Sequence, residues 1–396
     1  MTKLRKIDGG VCAPKGFLAA AVSAGIKYPE GTRDDMALVA GVGPCVAAAT
    51  FTTNKVKAAP VLVSAEHMKA KSARAVILNS GNANACTGQP GISNARAMAT
   101  AAAVALGVKP EEVLVCSTGR IGVPLPIEKM VARVPELAAR LDAKSSNAAA
   151  KAIMTSDTVA KEAAREFVSG GVKFRVGGIA KGAGMIDPNM ATMLCVISTD
   201  ADLTRAELRA ALKLAVERSF NRITIDGDMS TNDTVIALAS GVQGRPELAD
   251  FQAALDSVAL DLATKIVLDG EGVSRFIEVE VRGAKSVKDA RLAAEAIANS
   301  TLTKCAWAGG DPNWGRILDA VGYSGAEMNP DTADIDYDKV PAVRGGMPAK
   351  TPFAKLQAVA AKKAFKVTVD LHVGDATHTV YTTDLTEEYV RLNLGE

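Results

Sequence analysis

The chain has 396 residues, of which 48% are hydrophobic, 23% charged and 4% aromatic, with 46 Lys and Arg against 44 Asp and Glu. That composition excludes a disordered chain, and a net charge of +2 gives no electrostatic case for nucleic acid or an anionic membrane surface as partner. What stays open is a large core, in one big domain or two ordinary ones, and a small zwitterionic or mixed-charge substrate. Lys3, Arg5 and Lys6 before the apolar stretch from Phe17 to Ile26 imitate a signal peptide. Asp8, Gly9, Gly10 and Pro14 interrupt that approach, no stretch reaches the ~20 apolar residues of a spanning helix, and a cytoplasmic protein is expected.

The first part reads as short strands and Gly-rich turns. Arg74 to Asn79 is an apolar strand that runs into the polar turn Asn79-Ser80-Gly81-Asn82-Ala83-Asn84. Ser93 is read as the N-cap of a helix through Ala105, stopped by Gly107. Val113 to Cys116 is a buried strand running straight into Ser117-Thr118-Gly119. A helix near Asn147 to Met154 leads into Thr155-Ser156-Asp157-Thr158. Lys173 to Gly178 is a strand, followed by Lys181-Gly182-Ala183-Gly184 and a second strand from Ala191 to Thr199.

Thr204 with Glu207 forms a capping box that opens a helix to about Phe220. Asp233 to Ala239 is strand-like, Pro246 to Leu268 an amphipathic helix, and Phe276 to Val281 alternates as a half-exposed strand. Val287 to Ala298 is helical, and Pro341 to Lys350 reads as a Gly/Pro linker. Lys366 to Val373 and Thr377 to Thr383 suggest a hairpin, with Leu385 to Asn393 closing the chain. Strands and helices alternate only in part, so a layered α/β (α+β) fold is expected rather than a doubly wound parallel sheet.

The residue types narrow the chemistry. None of the three histidines (His67, His372, His378) belongs to an H-E-x-x-H run or sits near cysteine at zinc spacing, which makes a His-rich metal site improbable. No G-x-S-x-G elbow seats a serine nucleophile, and no P-loop or strand-linked G-x-G-x-x-G serves a nucleotide. The six single cysteines read as reduced, buried, small hydrophobes. The Asp226-Gly227-Asp228 and Asp269-Gly270-Glu271 pairs imitate a metal site but lack accompanying ligands.

The segment from Lys181 to Leu194 stands out. Two glycines and a proline precede Ala191 and Thr192 at the mouth of an apolar strand. On spacing alone the segment reads as an ordinary loop entering a buried strand. Chemically, Thr192 Oγ can attack the Ala191 carbonyl, and hydrolysis of the ester would leave Thr192 as a new N-terminus. Its α-amino group, with a reference pKa of ~7.7–8.0, can then deprotonate its own hydroxyl without histidine. Ser117-Thr118-Gly119, otherwise a plain turn, can supply a hydroxyl and an N–H to an oxyanion.

Several short blocks together resemble the ornithine acetyltransferase family over nearly the whole length. They are Gly10 to Phe17, Phe51-Thr52-Thr53-Asn54, Asn79 to Gly88, Ser117-Thr118-Gly119, Met154 to Thr158, Lys181 to Leu194, Asp269 to Gly272, and Asp311 to Arg316. The resemblance implies a layered N-terminal-nucleophile-like acyltransferase fold, with a large domain and a smaller C-terminal one. It implies self-cleavage between Ala191 and Thr192 into an α-chain (1–191) and a β-chain (192–396) that stay together, as an α2β2 assembly.

The implied reaction moves acetyl from N-acetylornithine to Thr192 and then to glutamate. Acetyl-CoA is a further donor in some members, and neither cofactor nor metal is required. Thr118 and Gly119 match the oxyanion hole, and Thr155, Lys181, Thr192, Glu271 and Asn393 match substrate-binding positions. In this reading Lys181 meets a substrate carboxylate and Glu271 an ornithine ammonium. Two departures stand out. The terminal Ser or Thr of the family has no counterpart in Leu394-Gly395-Glu396, so a contact there is expected to be missing or replaced. Arg120 stands where an apolar residue is usual, and an altered acyl-donor preference is expected from it. A related self-processed aminopeptidase or amidase is the alternative.

Overall fold

The structure, a computed structural model, describes residues 3–187 and 193–394. The chain forms two compact units: 1–221 with 228–266, and 222–227 with 267–396.

In the first unit the strands are β1 (Arg5–Lys6), β2 (Phe17–Val22), β3 (Met36–Phe51), β4 (Ala73–Asn79), β5 (Val113–Ser117), β6 (Lys161–Ser169), β7 (Val172–Lys181), β8 (Leu194–Thr199) and β9 (Thr234–Ala239). They join in the order β1-β6-β7-β8-β9-β3-β4-β5, with β2 on β3. The β8–β9 and β4–β5 pairs are parallel and the rest antiparallel. The helices are α1 (Ala59–His67), α2 (Gly88–Leu106), α3 (Ile127–Ala139), α4 (Ser146–Ala152), α5 (Arg205–Arg218) and α6 (Leu248–Leu268).

Two-residue alternation explains the layering. Ala75 and Ile77 of β4 and Val113 and Val115 of β5 face one way, against Met98, Ala99 and Ala102 of α2 and Met130, Val134 and Leu137 of α3. Val76, Leu78, Leu114 and Cys116 face the other way, into a cluster with Ala149, Ala150 and Ala152 of α4 and Leu194 and Val196 of β8. The strands of the site are therefore buried on both faces, and only their ends are open to solvent or ligand.

The second unit holds β10 (Phe276–Ala284), β11 (Asp334–Tyr337), β12 (Val340–Arg344), β13 (Met347–Pro348), β14 (Ala364–Asp370) and β15 (Ala376–Thr383), in the order β13-β12-β11-β14-β10-β15. Its helices are α7 (Val287–Asn299), α8 (Thr301–Ala308), α9 (Trp314–Tyr323), α10 (Phe353–Ala360) and α11 (Glu387–Leu392). Ile277, Val279 and Val281 of β10 enter the core, while Glu278 and Glu280 on the other face each meet Lys366 at 3.0 Å. The alternation read for this strand is thus realised.

Mixed α/β architecture and the Thr204–Glu207 capping box agree with expectation. Several expectations need correction. The helix assigned from Ser93 begins at Gly88 and ends, as expected, at Gly107 with φ 67°. The supposed linker from Pro341 to Lys350 is a small hairpin, β12–β13, turning at Gly345 and Gly346, whose φ values are 54° and 72°. The supposed hairpin of β14 and β15 is interrupted, because β10 lies between them, parallel to β14 and antiparallel to β15. Cys86 and Cys305 are exposed rather than buried, one in a turn and one on an outer face of α8. Among the described residues no helix is long and apolar enough to cross a membrane.

Candidate active site

The ends of β4, β5 and β7 build the site in the first unit. After β5 the chain stays tied to β4, since Thr118 N–H donates to Asn79 O at 3.0 Å. Asn232 Nδ2 donates to both Ala83 O (2.7 Å) and Ser117 O (2.8 Å), so a third segment fixes the two turns. Gly119 has φ 130°, and a Cβ there would lie 2.3 Å from Gly81 C and 2.5 Å from Asn82 N. Only glycine fits, and its N–H is held where the two turns touch.

Lys181 ends β7 and is almost completely buried. Its Nζ donates to Thr155 Oγ1 at 2.7 Å and to Thr118 Oγ1 at 3.2 Å, and lies 3.8 Å from Asp157 Oδ2. Asp157 is the hub behind these groups. Its Oδ1 accepts from Lys161 Nζ (2.6 Å) and Gly182 N–H (2.7 Å), and its Oδ2 accepts from Thr155 N–H (3.0 Å). Burial alone would raise the Asp157 pKa, but Lys181, Lys161 and the Gly182 N–H together hold it well below the usual carboxylate range.

β8 begins at Leu194, paired with Lys181. Just before it, Met193 N–H donates to Asp233 Oδ1 at 2.9 Å and Met193 O accepts from Thr234 N–H at 3.0 Å. Asp233 is buried, its Oδ2 has no partner among the described residues, and desolvation pushes its pKa well up against the opposing pull of the Met193 N–H and Lys181. Ala191 and Thr192 lie outside the described residues, so the proposed junction is seen only through its neighbours, Lys181 to Asp187 on one side and Met193 on the other.

In the second unit, Asn393 Nδ2 donates to Glu271 Oε2 at 2.9 Å. Gly272 makes that approach feasible: its φ is 65°, and a Cβ would lie 2.5 Å from Tyr389 N. Thr386 Oγ1 donates to Gly272 O at 2.7 Å and so fastens α11 to the Asp269–Gly272 turn. The Asp311–Arg316 block is the start of α9, with Asn313 as its cap.

Thr118, Gly119, Thr155 and Lys181 are therefore gathered in the first unit, and Glu271 meets Asn393 in the second. Arg120 is exposed beside Gly119. Asp157, Lys161 and Asp233 carried no assigned role in the sequence reading. The only signal for Asp157 was its place in the Met154–Thr158 block, and an isolated lysine such as Lys161 reads as a surface charge. Among the described residues no group of three His, Cys, Asp or Glu side chains is placed to hold a metal ion.

The profile of the ArgJ family matches residues 18–395. An arginine biosynthesis bifunctional protein ArgJ of Geobacter sulfurreducens is 50% identical over 387 residues, covering 96% of this chain and 98% of that protein. A glutamate N-acetyltransferase of Methanocaldococcus jannaschii is 45% identical over 405 residues, covering 98% of this chain and 99% of that one. Among solved structures, ornithine acetyltransferase of Mycobacterium tuberculosis in complex with ornithine is 44% identical over 47% of this chain and 98% of that chain, with a TM-score of 0.43.

Proposed function

The chain belongs to the ArgJ family, and on that premise we propose that it is a self-processed ornithine acetyltransferase, moving acetyl from N-acetylornithine to glutamate in arginine biosynthesis. The observation that carries this reading is the buried Lys181–Thr118–Thr155 cluster, set at strand ends in a chain that matches a glutamate N-acetyltransferase almost end to end.

In the uncut chain, Thr192 Oγ attacks the Ala191 carbonyl carbon, and the amide becomes an ester. Water hydrolyses that ester, giving an α-chain ending at Ala191 and a β-chain starting at Thr192. The free α-amine of Thr192 then takes the proton of its own hydroxyl as Oγ attacks the acetyl carbonyl of N-acetylornithine. Thr118 O–H and Gly119 N–H stabilise the oxyanion, and the proton returns to the departing ornithine nitrogen. Glutamate attacks the acetyl ester on Thr192 in the reverse sense and leaves as N-acetylglutamate.

Thr155, Lys181, Thr192, Glu271 and Asn393 are the substrate-binding residues of this reading. The α and β fragments remain together, as α2β2, with no cofactor or metal. The test is ornithine release from N-acetylornithine with and without glutamate. Acceleration by glutamate with matching N-acetylglutamate supports the transferase. Glutamate-independent release with acetate as product would make the protein a self-processed amidase instead.

A further inference from the structure

The Arg222–Gly227 stretch belongs to the second unit and lies along β15: Thr224 N–H donates to Tyr381 O at 3.0 Å, next to a parallel bridge between Ile223 and Tyr381. It carries Asp226, an acid with no part in the reaction as written. The Asp269–Gly272 turn packs against the same stretch, since a Cβ on Gly270 would lie 3.1 Å from Ile225 Cδ1. α11 meets both. Its Tyr389 Oη donates to Asp226 Oδ2 at 3.1 Å, and the Tyr389 backbone crosses Gly272, where a Cβ would lie 2.5 Å from Tyr389 N. The buried Lys304 ammonium is drawn to the same Asp226 carboxylate, so the acid that anchors Tyr389 is itself engaged by a buried charge.

α11 has six residues and fully buries none of them. A helix this short is not stable by itself, and with so little apolar packing its polar contacts set its place. Tyr389 makes contact at two points. Its hydroxyl is tied to Asp226, and its carbonyl accepts from Asn393 Nδ2 at 2.9 Å. The second N–H of that amide goes to Glu271 Oε2, also at 2.9 Å. A carbonyl and a carboxylate only accept, so the Asn393 side chain has one way round, with both protons committed. Asn393 and Glu271 then offer a ligand oxygen acceptors alone. That matches an ammonium, which has three donors and no acceptor.

We propose that Tyr389 and Asp226 are positioning residues that set specificity for the ammonium end of the acyl donor, acting through Asn393 on Glu271. With its hydroxyl on Asp226, Tyr389 holds its carbonyl in place, and that carbonyl aims the Asn393 amide at Glu271. Without the hydroxyl, α11 keeps the Thr386 tie to Gly272 O at its start. Its far end loses its anchor, and the amide no longer orients the carboxylate. This inference rests on the reading of Glu271 as the contact for the ornithine ammonium.

The test is Tyr389→Phe, which removes one hydroxyl and keeps the ring, with Asp226→Ala as a second variant. Each is compared with wild type on N-acetylornithine and on N-acetylnorvaline, the same carbon chain without the side-chain ammonium. Turnover is normalised to the amount of cut chain. The expected result is a preference for N-acetylornithine, read as the ratio of kcat/KM values, that falls about tenfold in either variant. The fall should lie in KM for N-acetylornithine, with kcat nearly unchanged. In a Glu271→Gln background the Tyr389→Phe effect should largely vanish, because both act through one carboxylate. Equal losses on the two substrates, which a merely structural contact would give, or losses that add in the Glu271→Gln background, would overturn the proposal. Wild type separates the two levels. A wild type with no preference for N-acetylornithine defeats the Glu271 reading and the proposal with it. A wild-type preference that passes undiminished to Tyr389→Phe defeats the proposal alone.

Discussion

The backbone N–H of Met193 donates to Asp233 Oδ1 across 2.9 Å, so the second residue beyond the proposed cleavage point is held by a buried acid. Replacing Asp233 by Ala strands that N–H and should cost about 1–3 kcal/mol, while Asn keeps an acceptor in place. Burial raises the folded-state pKa of Asp233 above its ordinary value of 3.8. Its contribution is therefore fully present below that value and is lost progressively as pH rises towards the folded pKa. Asp233→Asn should gain stability relative to wild type as pH rises above the ordinary carboxyl value of 3.8 in urea titrations; an unchanging difference would contradict this.

In the proposed reaction Thr118 supplies a side-chain donor to the oxyanion. Thr118→Val keeps the volume and removes the hydroxyl. Its kcat should fall by roughly a hundredfold or more, with KM for N-acetylornithine little changed, as steady-state kinetics on the cut enzyme will show. A raised KM with normal kcat would instead mark Thr118 as a ground-state contact.

Lys304 is fully buried in the second unit, where its Nζ donates to Thr382 Oγ1 at 2.9 Å and to Thr383 O. Desolvation lowers its pKa from 10.5 to about 7, against the pull of Asp226 and Asp384. The unfolded chain binds more protons than the folded one between those values, so this group makes the protein more stable as pH rises from 7 towards 10.5. Lys304→Met should flatten that slope, as followed by denaturant midpoints across the same range.

Thiol reactivity should divide the cysteines. Cys86 and Cys305 are exposed, whereas burial raises the pKa of Cys12 and Cys116 to about 12, of Cys45 to about 11, and of Cys195 further still. Alkylation at neutral pH should label Cys86 and Cys305 quickly and the other four only on unfolding, as peptide mapping by mass will show.

The strands at the heart of the site were legible because both faces are apolar: the run from Arg74 to Asn79 and the one from Val113 to Cys116 admit little else. The capping box at Thr204 was legible because its signal is local. Partners of strands were not, since alternation reports a strand and not its neighbour, and β10 inserted itself between β14 and β15. β6 was missed because Lys161, Glu162, Arg165 and Glu166 make it read as surface. Lys161 is nonetheless buried by a carboxylate and a sheet position that no local pattern announces. Thr118, Gly119, Thr155 and Lys181 came from family blocks. Their common meeting point, and Asp157 behind them, required the fold.

The central claim is that Thr192 becomes a free N-terminus and carries the acetyl group. The direct measurement is mass analysis of the denatured chain, with N-terminal sequencing, after brief exposure to N-acetylornithine without glutamate. The account predicts two fragments, one beginning Thr-Met-Leu-Cys and bearing a single acetyl group at Thr192 that glutamate removes, while Thr192→Ala stays whole. A wild-type chain that remains in one piece, or a cut chain that never carries acetyl on Thr192, would contradict it.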